Sequence, residues 1–286
     1  MAPSPLAGRK RLLVAALVIT TGTPLLGVPA SADATPSGMN PPVWVQDHQH
    51  NHTMGSQVAR RQGHRYAAEA DTSVFASTDR VSGMDVSSYQ KTVDWQTAWN
   101  NGARFVSIKA TEGTYYTNPY FTQQYDGSYG VGMIRGGYHF AAPNTTNGAT
   151  QANYFVDHGG GWSPDGRTLP GVLDIEYNPY GARCYGLSPS QMVQWILDFS
   201  NTYRGRTGTW PVIYTTTGWW QQCTGNQGDF SSTNPLWVAK YAADAGALPF
   251  AWDFYTFWQY ADAGTFPGDQ DVFNGAYDRL QALAVG

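Results

Sequence analysis

The sequence predicts an α/β protein built as a modified TIM-like (β/α) barrel. About eight short apolar strands follow Val81, bounded by turn residues. Helical stretches separate the earlier strands, and strands that alternate with helices form a mostly parallel sheet with the helices outside. The segments after Leu236 leave little room for helices. We therefore expect the later helices to be short or missing.

The strands are predicted from runs of β-branched and aromatic residues. In chain order they are Val81–Asp85, Phe105–Lys109, Met133–Phe140, Leu169–Glu176, Pro211–Thr215, Leu236–Tyr241, Tyr255–Tyr260 and a short segment around Asp271. The predicted helices are Val93–Asn101, Asn118–Tyr129, Ala149–His158 and Pro189–Arg204. The last has the clearest boundaries, because Ser188, Pro189 and Gln191 form a capping-box pattern and Gly205 is a suitable stop.

The composition favours an extracellular protein that handles sugars. Only 13% of the residues are charged, and the chain contains 11 Trp and 18 Tyr. Aromatic rings can stack on sugars, although most of them will fill the core. The net charge of -4 argues against nucleic acid as the main partner, since that partner requires a basic surface.

Residues 1–32 have the pattern of a secretory signal peptide. Arg9, Lys10 and Arg11 precede an apolar run from Leu12 to Ile19, and Ala30-Ser31-Ala32 is a small-residue cleavage site. The run is too short and too broken to span a bilayer, and no later stretch is long enough. We expect an exported protein that does not bind membranes.

Residues 33–79 are predicted to be a propeptide or a disordered linker that the fold does not need. They are rich in proline and polar residues, and their apolar periodicity is poor. His48, His50 and His52 could bind a metal, but nothing nearby supplies a fixed geometry, and solvated low complexity is the commoner explanation of such a run. The regular domain is expected to cover residues 80–286.

Candidate functional residues cluster at predicted strand ends. In such barrels function lies at the C-terminal ends of the strands. The residues placed there are Asp85, Tyr138, Asp174, Glu176, Tyr214, Trp258 and Asp271. Cys184 and Cys223 fall in neighbouring loops on the same face, so we expect them to form a disulfide in an oxidising compartment.

Asp174 and Glu176 are two apart on one strand, so their side chains point the same way. Each carboxylate raises the cost of charging the other, which suits a site that needs one protonated and one ionised acid. The competing interpretation is a strand end that runs into solvent with both acids hydrated. Paired carboxylates of this kind favour the functional interpretation.

Several catalytic classes lack their signature in this sequence. There is no His-Glu-x-x-His and no Cys/His cluster of ligand spacing, no Gly-x-Ser-x-Gly, and no phosphate-binding glycine loop after a strand. Carboxylates and aromatic residues remain, and these are the equipment of a glycosidase. No metal and no cofactor are expected.

From about residue 80 onward the chain resembles glycoside hydrolase family 25, the Chalaropsis-type lysozymes, and most of all its secreted actinobacterial members. The matching motifs, in order, are Gly83–Gln90, Ile108–Gly113, Gly137–Phe140, Leu173–Glu176, Val212–Thr215, Trp237–Ala239 and Phe257–Tyr260. The resemblance implies a (β/α)5(β)3 barrel. It also implies hydrolysis of the β-1,4 bond between N-acetylmuramic acid and N-acetylglucosamine in peptidoglycan, by an enzyme expected to be monomeric.

By motif, Glu176 matches the general acid and Asp174 the second catalytic carboxylate. Asp85 matches the acid on the first strand and Asp271 the acid near the last strand, where the sequence is shorter than in close relatives. Tyr138 and Tyr214 match aromatic residues of the cleft, and Trp258 is expected to bind substrate with them.

Two alternatives stay open at this point. One is a non-catalytic glycan-binding protein on the same barrel, which would need the acids to be lost, although Glu176 and Asp174 are both present. The other is a chitinase-like enzyme. Its usual Asp-x-x-Asp-x-Asp-x-Glu run is absent, because Val172 stands where the middle Asp would fall.

Overall fold

The computed structural model describes residues 51–65 and 79–286. The predicted signal peptide, residues 33–50 with His48 and His50, and residues 66–78 lie outside the described residues.

Eight strands form a closed barrel. They are β1 Val81–Val86, β2 Phe105–Glu112, β4 Ile134–Phe140, β5 Val172–Asp174, β6 Val212–Thr215, β7 Leu236–Ala239, β8 Phe257–Ala261 and β9 Asp269–Phe273, while β3 Tyr116–Thr117 is a short hairpin extension of β2. The strands from β1 to β8 that form the barrel pair in parallel. β9 runs antiparallel to both β8 and β1 and closes the barrel.

The four predicted helices are present in the predicted order, and the described residues also contain α-helices that were not predicted. In chain order the helices are α1 Ser56–Gln62, α2 Trp95–Asn100, α3 Phe121–Gly130, α4 Gly148–Phe155, α5 Pro189–Thr207, α6 Thr217–Thr224 and α7 Tyr277–Leu283. One helix follows each of β1, β3, β4, β5 and β6, whereas β7, β8 and β9 follow one another without a helix between them in this described stretch. The predicted (β/α)5(β)3 barrel is confirmed. Within the described residues, no helix is both long and apolar enough to cross a membrane.

The structure differs from the helix predictions at the end of α5 and at α6. The capping box of Ser188 and Gln191 starts α5 as predicted, but the helix passes through Gly205 and ends where Gly208 adopts φ 87°. An isolated glycine inside a helix costs about 1 kcal/mol, which packing readily offsets. The short helix α6 was not predicted, and the Thr216 side chain caps it by accepting from the amide of Trp219.

The side chains of the strands alternate between the barrel interior and the layer beneath the helices. Tyr138, Tyr214, Trp237 and Phe257 fill the barrel interior. Leu173, Ile213, Val238 and Trp258 belong to the layer between barrel and helices, with Phe199 and Tyr203 of α5. This period of two follows from strand geometry and decides which residues reach the barrel mouth.

Cys184 and Cys223 form a disulfide, as predicted. It joins the loop after β5 to α6, across a sequence separation of 39 residues. Closing a loop of this length lowers the entropy of the unfolded chain and stabilises the fold by about 3–4 kcal/mol.

Residues 51–65, here called the N-terminal segment, lie in the mouth of the barrel. Met54 and Val58 are buried and join the interior cluster formed by Tyr138, Tyr214 and other barrel residues. These fifteen positions of the predicted linker therefore have a defined structure that includes α1.

A shortened chain that starts at Asp79 should still unfold cooperatively, since the barrel pairings all lie within residues 79–286. Loss of the buried Met54 and Val58 removes about 1.5–3 kcal/mol each, offset by the entropy of ordering the segment. We expect an unfolding midpoint on the order of 5–10 °C below that of the full chain. Calorimetry of both chains checks this, and a broad transition without a cooperative peak would contradict it.

Candidate active site

The acids of the fourth predicted strand lie at the barrel mouth. β5 ends at Asp174, and backbone pairing continues through the amide of Ile175, which donates to Tyr214 O (3.0 Å). This extended backbone carries Glu176 to the top of the barrel. Asp174 and Glu176 are 0% and 1% exposed, so the competing interpretation of two hydrated acids is wrong.

Asp174 is a buried acid without a neutralising contact. Neither of its carboxylate oxygens accepts a hydrogen bond from any residue that the structure describes. Burial raises its pKa well above the usual range, and the negative charge of Glu176 adds to the rise. A buried acceptor in this state gains free energy when a polar group of a ligand reaches it.

Glu176 holds both of its oxygens against the N-terminal segment. The amide of Gly55 donates to Oε1 (2.9 Å) and the amide of Gln57 donates to Oε2 (2.8 Å). Burial nevertheless raises the pKa of Glu176 to about 8, and the charge of Asp85 contributes less. From the sequence, like-charge repulsion was expected to be the main cause, whereas burial is the larger one.

A second group of acids lies beside this pair. Asp85 and Asp269 are direct neighbours across the β1–β9 ladder, and Asp271 pairs one step deeper with Gly83. The predicted place of Asp271 at a C-terminal strand end is wrong, because β9 runs antiparallel. Asp271 is fully buried below the mouth, where it hydrogen bonds to Asp85 and accepts from Nε1 of Trp237 (3.2 Å).

Gln259 joins these acids, and the sequence analysis missed it. Its Nε2 donates to Oδ2 of Asp85 (2.7 Å) and to Oδ2 of Asp269 (3.0 Å). The expected cleft position of its neighbour Trp258 is wrong, because strand alternation turns Trp258 outward into the helix layer. There its Nε1 donates to Lys240 O (2.9 Å). The inward register of Phe257 could have indicated Gln259.

Tyr138 and Tyr214 lie in the barrel interior directly below the mouth, and both are fully buried. The hydroxyl of Tyr138 accepts from the amide of Met54 (3.2 Å). The hydroxyl of Tyr214 donates to Oε1 of Gln259 (2.7 Å), and so orients the amide that contacts Asp85.

Lys109 and Glu112 form a buried ion pair that the sequence analysis also missed. Burial lowers the pKa of Lys109, while the charge of Glu112 works against that effect. For Glu112, burial alone would raise the pKa, but the charge of Lys109 and the hydrogen bond from it lower the pKa. Nζ of Lys109 also donates to the carbonyl of His52 in the N-terminal segment.

The site therefore concentrates buried carboxyl groups at the C-terminal end of a barrel, which is the equipment of acid–base catalysis on a glycosidic bond. Among the described residues no group of three or more His, Cys, Asp and Glu side chains has the arrangement of a metal site. Fold and site together define the class as a barrel glycosidase.

Comparisons with known proteins agree with this class. The family model of the glycosyl hydrolases family 25 matches residues 84–269. The N,O-diacetylmuramidase of Chalaropsis sp is 51% identical over 210 residues, which span 72% of this chain and 100% of that protein. Lysozyme M1 of Streptomyces globisporus is 48% identical over 214 residues, 73% of each chain.

A solved structure gives the same result. The muramidase from Acremonium alcalophilum is 58% identical, with a TM-score of 0.70, over 72% of this chain and 99% of its own. The chain belongs to glycoside hydrolase family 25, as the sequence motifs predicted.

The shared burial of Asp85 and Asp271 should appear in the pH dependence of stability. Burial raises the pKa of Asp85 to about 7, and burial with the nearby charge of Asp85 raises that of Asp271 well above the ordinary value. The folded protein then binds protons that the unfolded chain releases, so the free energy of unfolding falls as the pH rises from about 4 through neutrality.

We expect Asp271→Asn to flatten this fall, because the amide stays neutral and can donate to Asp85. Each unit by which folding raises the pKa of an acid contributes about 1.4 kcal/mol to the fall in the free energy of unfolding, and this contribution disappears when the acid is replaced by an amide. Urea unfolding at pH 5 and pH 8 measures the difference, with the exposed Asp126→Asn as the matched control. Equal slopes in the two variants would contradict the shared protonation.

Proposed function

We propose that this protein is an exported muramidase that hydrolyses the β-1,4 bond between N-acetylmuramic acid and N-acetylglucosamine in bacterial peptidoglycan, acting as a monomer. The observation that carries the proposal is the buried pair of Asp174 and Glu176 at the mouth of a family 25 barrel. The names of the muramidases and lysozymes that match this chain support the substrate. The pattern of residues 1–32 and the disulfide support export.

Glu176 is the proposed general acid. With the N-terminal segment in place, burial raises its pKa to about 8, and the charge of Asp85 on the barrel also raises it; an acid that protonates a leaving oxygen needs such a raised pKa. After the leaving sugar departs, the resulting carboxylate takes a proton from the attacking water. Asp85, linked to Asp269 and Asp271, helps to keep this pKa high.

Asp174 is proposed to act on the substrate rather than on water. Residues two apart in an extended chain have Cα atoms about 6.6 Å apart, so parallel side chains place the carboxyl groups at roughly 6–7 Å. That exceeds the about 5–5.5 Å of a carboxylate nucleophile and its acid. Distance alone would suggest inversion, but the substrate carries a 2-acetamido group that can itself attack the anomeric carbon.

In this scheme Glu176 protonates the glycosidic oxygen while the acetamido oxygen bonds to C1. Asp174 must be ionised in this step, in which it accepts the acetamido N–H and stabilises the positive charge of the oxazolinium ion, and that N–H donor lowers the raised pKa that burial gives Asp174. Its lack of a hydrogen-bond donor among the described residues suits this role, because the substrate then supplies one. Water opens the ring with Glu176 as base, and the configuration at C1 is retained.

Glu176→Gln should lower the rate of reducing-end release from purified peptidoglycan by roughly 10²–10⁴-fold or more, because the amide cannot donate and recover a proton. Asp174→Asn should also lose activity with little loss of folding stability. Both are measured in the full chain and in the chain from Asp79, since the N-terminal segment covers Glu176. Asp253→Asn, at an exposed acid, is the control and should keep the parent rate.

A chitin substrate separates the alternatives in the same assay. Release of reducing ends from peptidoglycan but not from chitin agrees with the proposal. Release from chitin would favour the chitinase-like enzyme. Binding to glycan without any release from either form of the chain would favour a non-catalytic glycan-binding protein.

The first-formed anomer distinguishes the two mechanisms. The acetamido scheme predicts a β-configured product that later equilibrates, because two displacements at C1 restore the starting configuration. Proton NMR during the first turnovers measures it. An initial α product would make Asp174 a base acting on water and exclude the oxazolinium ion.

A further inference from the structure

The N-terminal segment crosses the mouth of the barrel from one side to the other. Near its start the carbonyl of His52 accepts from Nζ of Lys109 on β2. At its end the amide of Arg65 donates to Oδ1 of Asp262 (2.7 Å), just after β8. Between these points the segment covers Glu176, the proposed general acid.

The contact with Glu176 is incompatible with catalysis. A general acid must present an oxygen to the glycosidic bond, but both oxygens of Glu176 already accept amides of the segment, those of Gly55 and Gln57. The backbone at Gly55 thus stands where a substrate atom would have to be. Glu176 is 1% exposed as a result, so a polymeric glycan has no route to it while the segment is in place.

Apolar and charged contacts hold the segment in this position. Met54 and Val58 are buried against the barrel interior. The guanidinium of Arg61 lies 3.6 Å from the ring centroid of Tyr177, the residue next to Glu176. Nη1 of Arg65 donates to Tyr260 O (3.1 Å) at the other side of the mouth.

The space that remains beside the segment does not reach the catalytic pair. A cavity of about 530 Å³ lies between the segment and the rim, and the segment itself forms half of its wall. Tyr241 and Asp269 contribute to the barrel side of this cavity, whereas Asp174 and Glu176 do not line it. A glycan bound there would not contact the two acids.

The segment also lies outside the stretch that the family model matches. The family match begins at residue 84, after the segment. The solved muramidase from Acremonium alcalophilum is covered over 99% of its length by 72% of this chain. The stretch matched by the family model contains Asp85, Asp174 and Glu176, whereas the N-terminal segment lies outside it.

We propose that the peptide formed by residues 51–65 is an intramolecular ligand of the glycan cleft, and that it keeps the full chain latent until it leaves. The inference rests on the proposed function, because it assumes that glycans bind where the peptide lies. It assigns the cleft a second ligand class, a peptide with an apolar residue, a glycine and a basic helix, in the order Met54, Gly55 and Arg60-Arg61.

A substitution at Gly55 can displace the segment while every acid of the site is kept. Its φ is 83°, and a Cβ atom there would lie 2.4 Å from Oε1 of Gln259 and 2.6 Å from the hydroxyl of Tyr241. Real Cβ atoms do not approach so closely, so Gly55→Val should expel the segment from the cleft. The substitution lies in the segment, so every residue of the barrel stays unchanged.

Gly63 offers the matched control at the other end of α1. Its φ is 86°, and a Cβ atom there would meet nothing within 4 Å. Gly63→Val therefore also places a side chain at a positive φ, in a backbone conformation (ψ 162°) at least as unfavourable for valine as that of Gly55, but without the clash. The comparison separates displacement from a general weakening of the helix.

The test uses the full chain, and the probe is purified peptidoglycan. If the cleft is open in about 1–10% of the molecules, release of the segment raises the initial rate about 10- to 100-fold. We expect this rise in Gly55→Val, and a rate near that of the unsubstituted chain in Gly63→Val. Equal rates in all three chains would overturn the proposal and leave the muramidase function intact.

Hydrogen exchange at the amide of Gln57 gives a second readout that does not depend on catalysis. This amide should be protected in the full chain and should exchange at least about tenfold faster in Gly55→Val, because its acceptor Glu176 is lost. If the displaced chain exchanges fast but cleaves no glycan, the occupancy stands and the proposed function fails. A fully active chain with a protected Gln57 amide would overturn the latency.

Discussion

The antiparallel pairing of β9 with β1 is the constraint on which the site depends. It closes the barrel, and it also sets Asp269 beside Asp85 and Asp271 one step below. The three carboxyl groups of Asp85, Asp269 and Asp271, together with those of Asp174 and Glu176 across the mouth, make five in one poorly solvated volume. They cannot all ionise there, because burial and mutual repulsion both penalise the charged form. The closure of the barrel therefore brings these acids together in a buried site, where their pKa values are raised and they retain protons.

Gln259 organises this group without carrying charge. One amide group donates to Asp85 and Asp269 and accepts from Tyr214, so all of its strong hydrogen-bonding positions are used. A neutral donor between two acids lowers the cost of their proximity without introducing a counter-charge. Lys109 does carry a charge, but its ammonium group is paired with Glu112. Its lowering effect on the pKa of Glu176 is therefore smaller than the raising effect of burial. The reactive pair therefore keeps its raised pKa values beside a buried cation.

The N-terminal segment and a glycan would compete for the same atoms. The carboxylate of Glu176 is satisfied by two backbone amides in one case and would face the glycosidic oxygen in the other. Because the segment is tethered to the barrel, its effective concentration at the cleft is high even if each contact is weak. Among the described residues no group donates to the oxygens of Asp174, so the segment occupies Glu176 without supplying a donor to its neighbouring acid. Such an occupant blocks the cleft yet leaves the site poised for a ligand with an amide donor.

The sequence by itself determined the class of fold, the order of its strands, the disulfide and the family, because these follow from local periodicity and from motifs contiguous in the chain. It also placed Asp174 and Glu176 on one strand, since side chains alternate with a period of two. Only the tertiary structure decided that Trp258 faces outward while Gln259 faces the acids, and that Asp269 rather than Asp271 stands at the mouth. Those outcomes depend on the register and direction of strands distant in sequence, as does the docking of residues 51–65 over Glu176, which no local pattern encodes.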